Sequence, residues 1–412
     1  MEYGLIGEHL PHSFSKEIHG LLAPYTYDLC ELAPDELAGF MEKRDFHGIN
    51  VTIPYKQAVI PFLDEIDAAA AAIGAVNTVV NRDGKLYGYN TDYDGLTLLI
   101  RRAGIDIAGK KVLIFGTGGT AQTSTAVCRA MGAADIRYVS RTPDGTPIRI
   151  SRETAYTEHT DTDIVINTTP LGMYPQGDVL SVDLDRFPSC SGVVDIIYNP
   201  LQTPLMLDAA ARGIPATGGL YMLVAQAAKA SSYFTGDAAV LKLVDAVYDR
   251  IIRQKQNIVL IGMPSCGKST VGAQLAEHLG RPFTDTDAMI TERAGVPIPE
   301  IFAQKGETAF RDLESEAVAA CSVMTGQVIA TGGGAVLRPQ NVRRLKQNGV
   351  LVFLDRPLEQ LMPTDDRPLS GNREALEKRY HERYPLYCRV ADRTVSVTTV
   401  EETVRQIEKD WL

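Results

Sequence analysis

The sequence has no excess of basic charge: 41 lysines and arginines face 51 aspartates and glutamates, a net charge of −10. An extended nucleic-acid or anionic-membrane face would need the opposite balance, so neither partner is expected and any phosphate site must be local. No apolar stretch reaches the roughly 18 residues that mark a spanning helix. The opening MEYGLIGEHL lacks the basic and apolar regions of a secretory leader, and a cytoplasmic protein is expected. The six cysteines, at 30, 128, 190, 266, 321 and 388, form no CxxC pair. That argues against a zinc site or a disulfide scaffold and for buried, reduced thiols. No repeat or low-complexity tract stands out beyond an alanine run at 67–73.

What is present is globular. Hydrophobic residues make up 45% and charged residues 22% of 412, enough for two or three domains with cores of their own. Apolar runs alternate with helical patterns throughout, which predicts α/β architecture with parallel sheets. Residues 1–105 form a first block, with GINVTIP and AVNTVVN as strands and 67–73 as a helix. Residues 106–250 form a second, with strands KVLIF, DIRYVS, DIVINTT and GVVDIIY and a closing helix YMLVAQAAKASSYF that returns to the first block. The charged stretch 248–257, YDRIIRQKQN, continues from the preceding helix as a linker to a third block, 257–412.

Two glycine turns follow apolar strands. In GTGGTA, Gly116, Gly118 and Gly119 stand where a strand passes to a helix, and Ala121 takes the third position of the pattern. A missing Cβ lets the backbone approach a pyrophosphate, and the helix N-terminus offers free N–H groups. The next strand ends in Ser140-Arg141-Thr142, with no acid to hold a ribose 2′-hydroxyl. An arginine there can pair with a 2′-phosphate, which favours NADP over NAD. The second turn, GMPSCGKST, matches the phosphate-loop pattern in full, from Gly262 to Gly267, Lys268 and Ser269. Loop N–H groups would cradle ATP phosphates, Lys268 would reach the β- and γ-phosphates, and Ser269 would hold Mg²⁺.

The first block carries polar clusters at strand ends: His12-Ser13-Phe14-Ser15, Asn50 to Lys56, Ala75 to Thr78, and Asn90-Thr91-Asp92. They supply what a small polyhydroxylated substrate needs. Lys56 and Asp92 form a natural proton-transfer pair. In the third block, Asp285 and Asp287 are read as two acids on one side of a strand end. Arg311 and Glu314 share a helix face, and taken alone read as a surface ion pair. Three glycines, 332–334, let backbone approach a ligand, and Arg367 and Arg383 lie in DDRPLS and ERYPLY.

The ordered series HSFSK, GINVTIPYK, IGAVNTV, GYNTDYDG, GTGGTA, INTTPLGM, DIIYNPLQTPL and GGLYMLVAQA resembles shikimate dehydrogenase over 1–250. The resemblance implies a substrate domain followed by a Rossmann-type NADP domain, with Lys56 and Asp92 catalytic. It implies that Ser13, Ser15, Thr52, Asn77, Tyr198 and Gln226 bind shikimate or 3-dehydroshikimate. Gly116, Thr117, Gly118, Gly119 and Thr120, with Arg141 and Thr142, would hold NADP(H), and Ile196 and Gly219 would border the nicotinamide. His9 and His12 would be structural. Ser140 stands where the family often has Asn, and the loop PDGTPIR is short.

GxxxxGKST, DTD, GExxFRxxE, GGG, RPL and RxPLY, in that order, resemble shikimate kinase over 257–412, a parallel α/β phosphate-loop domain. This implies that Asp287, Arg311, Gly333 and Arg383 bind shikimate and that Asp285 reaches Mg²⁺ through water. Gly262, Ser265, Cys266, Gly267, Lys268, Ser269 and Thr270 would hold ATP, with Arg367 as a lid arginine. The segment RPLEQLMPTD before Arg367 is shorter than usual for the family. The whole reads as a bifunctional enzyme of aromatic amino acid biosynthesis. Two other readings stay open: a quinate and shikimate dehydrogenase using NAD, and a non-catalytic sensor of pathway intermediates.

Overall fold

In a computed structural model the structure describes residues 1–10, 13–362, 373–409 and 411. The chain divides into two compact units, Met1–Ile251 and Ile252–Leu412. The first unit holds two sheets. One is built from β1 (Tyr3–Gly7), β2 (Tyr27–Glu31), β3 (Gly48–Val51), β4 (Glu65–Ile66), β5 (Thr78–Arg82) and β6 (Lys85–Tyr89), in the order β2-β1-β3-β5-β6-β4. It is mixed rather than parallel: β5 runs antiparallel to both β3 and β6. Ile6, Ile49, Val79 and Leu86 are fully buried in its core.

The reversed strand explains the substrate motifs. In the register Asn50 pairs with Thr78, so the start of β5 meets the end of β3. Asn77, just before β5, is thereby brought beside the residues that follow β3. Strand β5 begins at Thr78 rather than Ala75, and ahead of it the Val76 amide donates to the Lys56 carbonyl oxygen at 2.8 Å.

The second sheet is wholly parallel. It comprises β7 (Lys111–Phe115), β8 (Asp135–Val139), β9 (Arg149–Ile150), β10 (Ile164–Asn167), β11 (Gly192–Asp195) and β12 (Ala216–Gly218), in the order β12-β11-β10-β7-β8-β9. This is the dinucleotide-binding order, with the strand order reversing between β7 and β10, where such sheets take their ligands. Strands β10 and β11 are buried along their whole length, as expected when helices cover both faces. The helix Leu220–Thr235 then packs on the helix Thr91–Arg102 of the first sheet. Gly95 permits this: a Cβ there would lie 2.7 Å from the Met222 carbonyl oxygen.

Residues 244–255 are helical, and Val244, Val247 and Ile251 are buried at helical spacing. Residues 248–255 of the charged stretch are therefore the end of a packed helix, whose apolar stripe is masked in the sequence by the charges around it. The second unit is a parallel sheet of β13 (Asn257–Ile261), β14 (Phe283–Asp285), β15 (Val328–Ala330), β16 (Gly349–Asp355) and β17 (Arg393–Ser396), ordered β14-β15-β13-β16-β17. All six cysteines are free, and Cys128, Cys190, Cys266 and Cys321 are buried, whereas Cys30 is half-buried and Cys388 exposed. Among the described residues no helix is long and apolar enough to cross a membrane.

Candidate active sites

Lys56 follows β3, and its carbonyl oxygen accepts the Val76 amide at 2.8 Å, which ties it to the start of β5. Asp92 lies in the first turn of the helix Thr91–Arg102, whose N-cap Asn90 accepts the Tyr93 amide at 3.2 Å. The Lys56 Nζ donates to Asp92 Oδ2 at 2.6 Å, with the two side chains only 16% and 9% exposed. Beside them, Asn77 Oδ1 accepts the Thr91 amide at 2.7 Å, and Asn77 Nδ2 donates to Thr91 Oγ1 at 3.0 Å and to Gln226 Oε1 at 3.4 Å. Asn77, Thr91, Asp92 and Gln226, from three different elements, thus form one buried polar cluster.

Ser15 opens the helix Ser15–Leu22, and its amide donates to Ser13 Oγ at 3.2 Å. The intervening Phe14 ring packs at 5.3 Å from the Tyr198 ring. Burial raises the Tyr198 phenol above its usual range, which keeps it a proton donor. Thr52 follows β3, its amide donating to the Ile6 carbonyl oxygen at 3.0 Å. His12 lies outside the described residues.

The glycine turn stands against Lys56. A Cβ on Gly119 would lie 3.8 Å from Lys56 Cδ and 3.7 Å from the Ala75 Cβ, while one on Gly118 would meet nothing within 4 Å. Gly116 has φ +115°, and a Cβ there would strike Thr168 Oγ1. The helix Gly119–Ala130 has no side-chain cap at its N-terminus. Uncapped N–H groups facing open space fit a pyrophosphate. A Cβ on Gly219 would collide with the Ile196 carbonyl oxygen, so these two backbones touch.

In the second unit Gly262 and Gly267 adopt φ +147° and +101°, and Ser265 has φ +63° without being glycine. Lys268 is buried, its Nζ on the carbonyl oxygens of Gly262 and Met263 at 3.0 and 2.8 Å and 3.8 Å from Cys266 Sγ. Its helix, Lys268–Leu279, likewise lacks a side-chain cap. Ser269 Oγ donates to Asp285 Oδ2 at 2.6 Å, an all-oxygen pair suited to a hard divalent cation. Thr270 follows on the same helix and is exposed.

Asp285 and Asp287 do not share a strand. Asp285 ends β14 and caps the helix Thr286–Ala294, its carboxylate accepting the amides of Asp287 and Ala288, and Asp287 lies in that helix's first turn. Nor are Arg311 and Glu314 a surface pair. Arg311 Nη1 reaches Glu314 Oε2 at 2.7 Å, with side-chain exposures of 10% and 1%. Desolvation raises the Glu314 carboxyl above its ordinary value; Arg311 opposes the rise and Asp287 adds to it.

The three glycines draw the parts together. A Cβ on Gly332 would lie 2.6 Å from Asp287 Oδ1 and 2.8 Å from Glu314 Oε1; one on Gly333 would lie 2.9 Å from Pro264 Cδ; one on Gly334 would strike Arg311. Tyr387 OH donates to the Gly333 carbonyl oxygen at 2.5 Å, and the buried Arg383 charge acts on both Tyr387 and Glu314. Arg367 lies outside the described residues.

Comparison with known proteins accounts for both halves. The shikimate dehydrogenase (NADP(+)) of Moorella thermoacetica is 34% identical over 64% of this chain and 96% of its own length. The chain belongs to the shikimate dehydrogenase family. The family model for the shikimate dehydrogenase substrate binding domain matches residues 5–79, and that for shikimate kinase matches residues 264–410. Among solved structures, shikimate dehydrogenase 1 of Peptoclostridium difficile is 32% identical at a TM-score of 0.56, covering 61% of this chain and 98% of that one. The Thermus thermophilus enzyme, solved with NADP(H) and shikimate, is 26% identical at a TM-score of 0.53 and covers 61% and 99%.

Two residues beside the dehydrogenase site, Tyr27 and His19, escaped the sequence reading. Tyr27 OH donates to Asn50 Oδ1 at 2.8 Å, and Asn50 Nδ2 donates to Thr78 Oγ1 at 3.0 Å, extending the buried cluster behind Asn77. His19 stacks on Tyr27 at 3.8 Å between ring centroids, and burial lowers its imidazole to about 3, so it stays neutral. In the kinase domain Arg356 reaches the Ser265 carbonyl oxygen at 3.5 Å. Only polar residues inside otherwise apolar runs hinted at these contacts.

Proposed function

We propose that this chain reduces 3-dehydroshikimate to shikimate with NADPH and then phosphorylates shikimate with ATP, at two sites of one polypeptide. In this reading residues 1–105 bind the dehydrogenase substrate, 106–250 the dinucleotide, and 257–412 ATP and shikimate. The observation that carries the first half is the Lys56–Asp92 pair at 2.6 Å, set against the Gly119 turn at the sheet's reversal point.

Bound NADPH would supply the hydride, and bound ATP with Mg²⁺ the phosphoryl group. Lys56 gives its proton to the C3 carbonyl oxygen of the substrate, and Asp92 holds the ammonium in place. Such acid catalysis is worth about 10² to 10⁴ in rate. Asn77, Thr91 and Gln226 orient the substrate hydroxyls, while Ser13, Ser15, Thr52 and Tyr198 take its remaining polar edge. Gly116 to Thr120, Arg141 and Thr142 hold the dinucleotide, and Ile196 and Gly219 bound its reacting end.

In the kinase half, Asp287 orients the shikimate hydroxyl and accepts its proton. Arg311 and Arg383 hold the carboxylate beside Gly333, and Glu314 keeps Arg311 in position. Lys268, with the N–H groups of the loop from Gly262 to Thr270, steadies the phosphates, and Ser269 with Asp285 steadies the cation. Catalysis here is mainly positioning and charge stabilisation.

The test is turnover by the purified chain, measured separately with shikimate and NADP⁺ and with shikimate and ATP–Mg²⁺. Both activities are expected. Quinate with NAD⁺ outrunning shikimate with NADP⁺, or no turnover in either assay, would overturn the reading.

A further inference from the structure

The edge strand β9 brings an arginine to the place where the dinucleotide's ribose would lie. Strand β9 pairs in parallel with β8, placing Arg149 opposite Tyr138, and the Ser140 amide donates to the Ile150 carbonyl oxygen at 2.9 Å. The pairing holds Arg149 beside the carboxyl end of β8, where Ser140, Arg141 and Thr142 follow. Its side chain reaches across that segment: Nε donates to Ser140 Oγ at 3.3 Å, and Nη2 donates to Thr142 Oγ1 at 3.1 Å.

These partners are neutral hydroxyls, and among the described residues no ion pair ties Arg149 to a carboxylate. Asp144 is close enough for the Arg149 charge to act on it, but its Oδ1 is engaged by the Thr146 amide and hydroxyl, which hold its carboxyl below the usual range. A half-buried guanidinium lying over two hydroxyls, next to an exposed arginine, has the donors to grip a phosphate monoester bidentately. The 2′-phosphate is the group that distinguishes NADPH from NADH.

We infer that Arg149 is a second guanidinium of the 2′-phosphate site, and that with Arg141 it sets the preference for NADPH over NADH. The inference rests on the dehydrogenase reading above. It gives a function to the segment PDGTPIR, whose one arginine, Arg149, is carried by β9 back onto Ser140 and Thr142, on either side of Arg141.

The test is Arg149→Ala in the full chain. The ratio of kcat/KM for NADPH to that for NADH should fall about 10- to 100-fold, through KM for NADPH. KM for 3-dehydroshikimate and the kinase activity should not move, and Arg149→Lys should retain part of the ratio. Calorimetry without turnover gives a second readout: affinity for adenosine 2′,5′-bisphosphate should fall by the same factor, while that for adenosine 5′-monophosphate stays the same. An unchanged ratio, or an equal loss with both cofactors, would show that Arg149 only ties β9 to β8 and would overturn the inference. No turnover of the unsubstituted chain with either cofactor would overturn the dehydrogenase reading itself.

Discussion

Asp195→Asn should change how the first unit's stability depends on pH. Asp195 ends β11 with no exposed surface. Its Oδ1 accepts Asn167 Nδ2 at 3.0 Å and the Ile197 amide at 3.2 Å, and its Oδ2 accepts Thr203 Oγ1 at 2.7 Å. Burial outweighs these donors and lifts the carboxyl from 3.8 to about 6. Between those values the folded unit binds a proton that the unfolded chain has released, so this group lowers stability as pH rises through the window. A shift of about two units is worth about 3 kcal/mol.

His19 acts with the opposite sign. Burial lowers it from 6.5 to about 3, so the unfolded chain takes up the proton first and stability rises with pH across that range. Where the two windows overlap, each contributes about 1.4 kcal/mol per pH unit, and the slopes cancel. Removing Asp195 exposes the His19 slope. The variant should lose about 3 kcal/mol relative to the unsubstituted chain on going from about pH 7 to about pH 4. Asparagine keeps the shape, and the Thr203 hydroxyl can turn to accept its N–H. The assay is urea unfolding across this range, read by hydrogen exchange of peptides from the first unit. Fluorescence of Trp411, the one tryptophan, reports instead on the second unit. A stability difference between variant and unsubstituted chain that does not change with pH would refute the reasoning.

Lys56→Ala should lower dehydrogenase kcat by about 10² or more and leave the kinase untouched, and Lys268→Ala should do the reverse, both read in separate steady-state assays. Loss of both activities from either change would contradict independent sites. Glu314→Ala leaves Arg311 buried without its 2.7 Å partner. Glu307, 3.2 Å from Arg311 Nη2, stays as a partner, so unfolding of the second unit, followed by Trp411 fluorescence, should lose less than the about 3–5 kcal/mol of a fully unpaired buried charge, and KM for shikimate in the kinase assay should rise. Gly219→Ala should force the Ile196 carbonyl away, weakening NADPH binding in a fluorescence titration and destabilising the fold by about 1–3 kcal/mol.

The glycine turns were legible because their chemistry is local: a strand, a left-handed residue and a helix start occupy about ten consecutive residues. The buried strands of the second and third sheets read equally well as continuous apolar runs. The reversal of β5 was not legible, since a five-residue strand carries no mark of its direction. Nor was the burial of Arg311 and Glu314, whose spacing is the same on an exposed face. The strand–helix boundary inside Asp285-Thr286-Asp287 depends on a cap that a second acid two residues on obscures. Arg149 was missed because its nearness to Ser140 and Thr142 comes from strand pairing, which separations of nine and seven residues in sequence do not announce.

The central claim is that the hydroxyl made at the first site is the one phosphorylated at the second. It is tested most directly by giving the purified chain 3-dehydroshikimate, deuteride-labelled NADPH and ATP–Mg²⁺ in one vessel. Shikimate 3-phosphate carrying the deuterium at C3 should form mole for mole with the NADPH consumed. NADPH consumption with shikimate accumulating and no phosphate ester formed would contradict it.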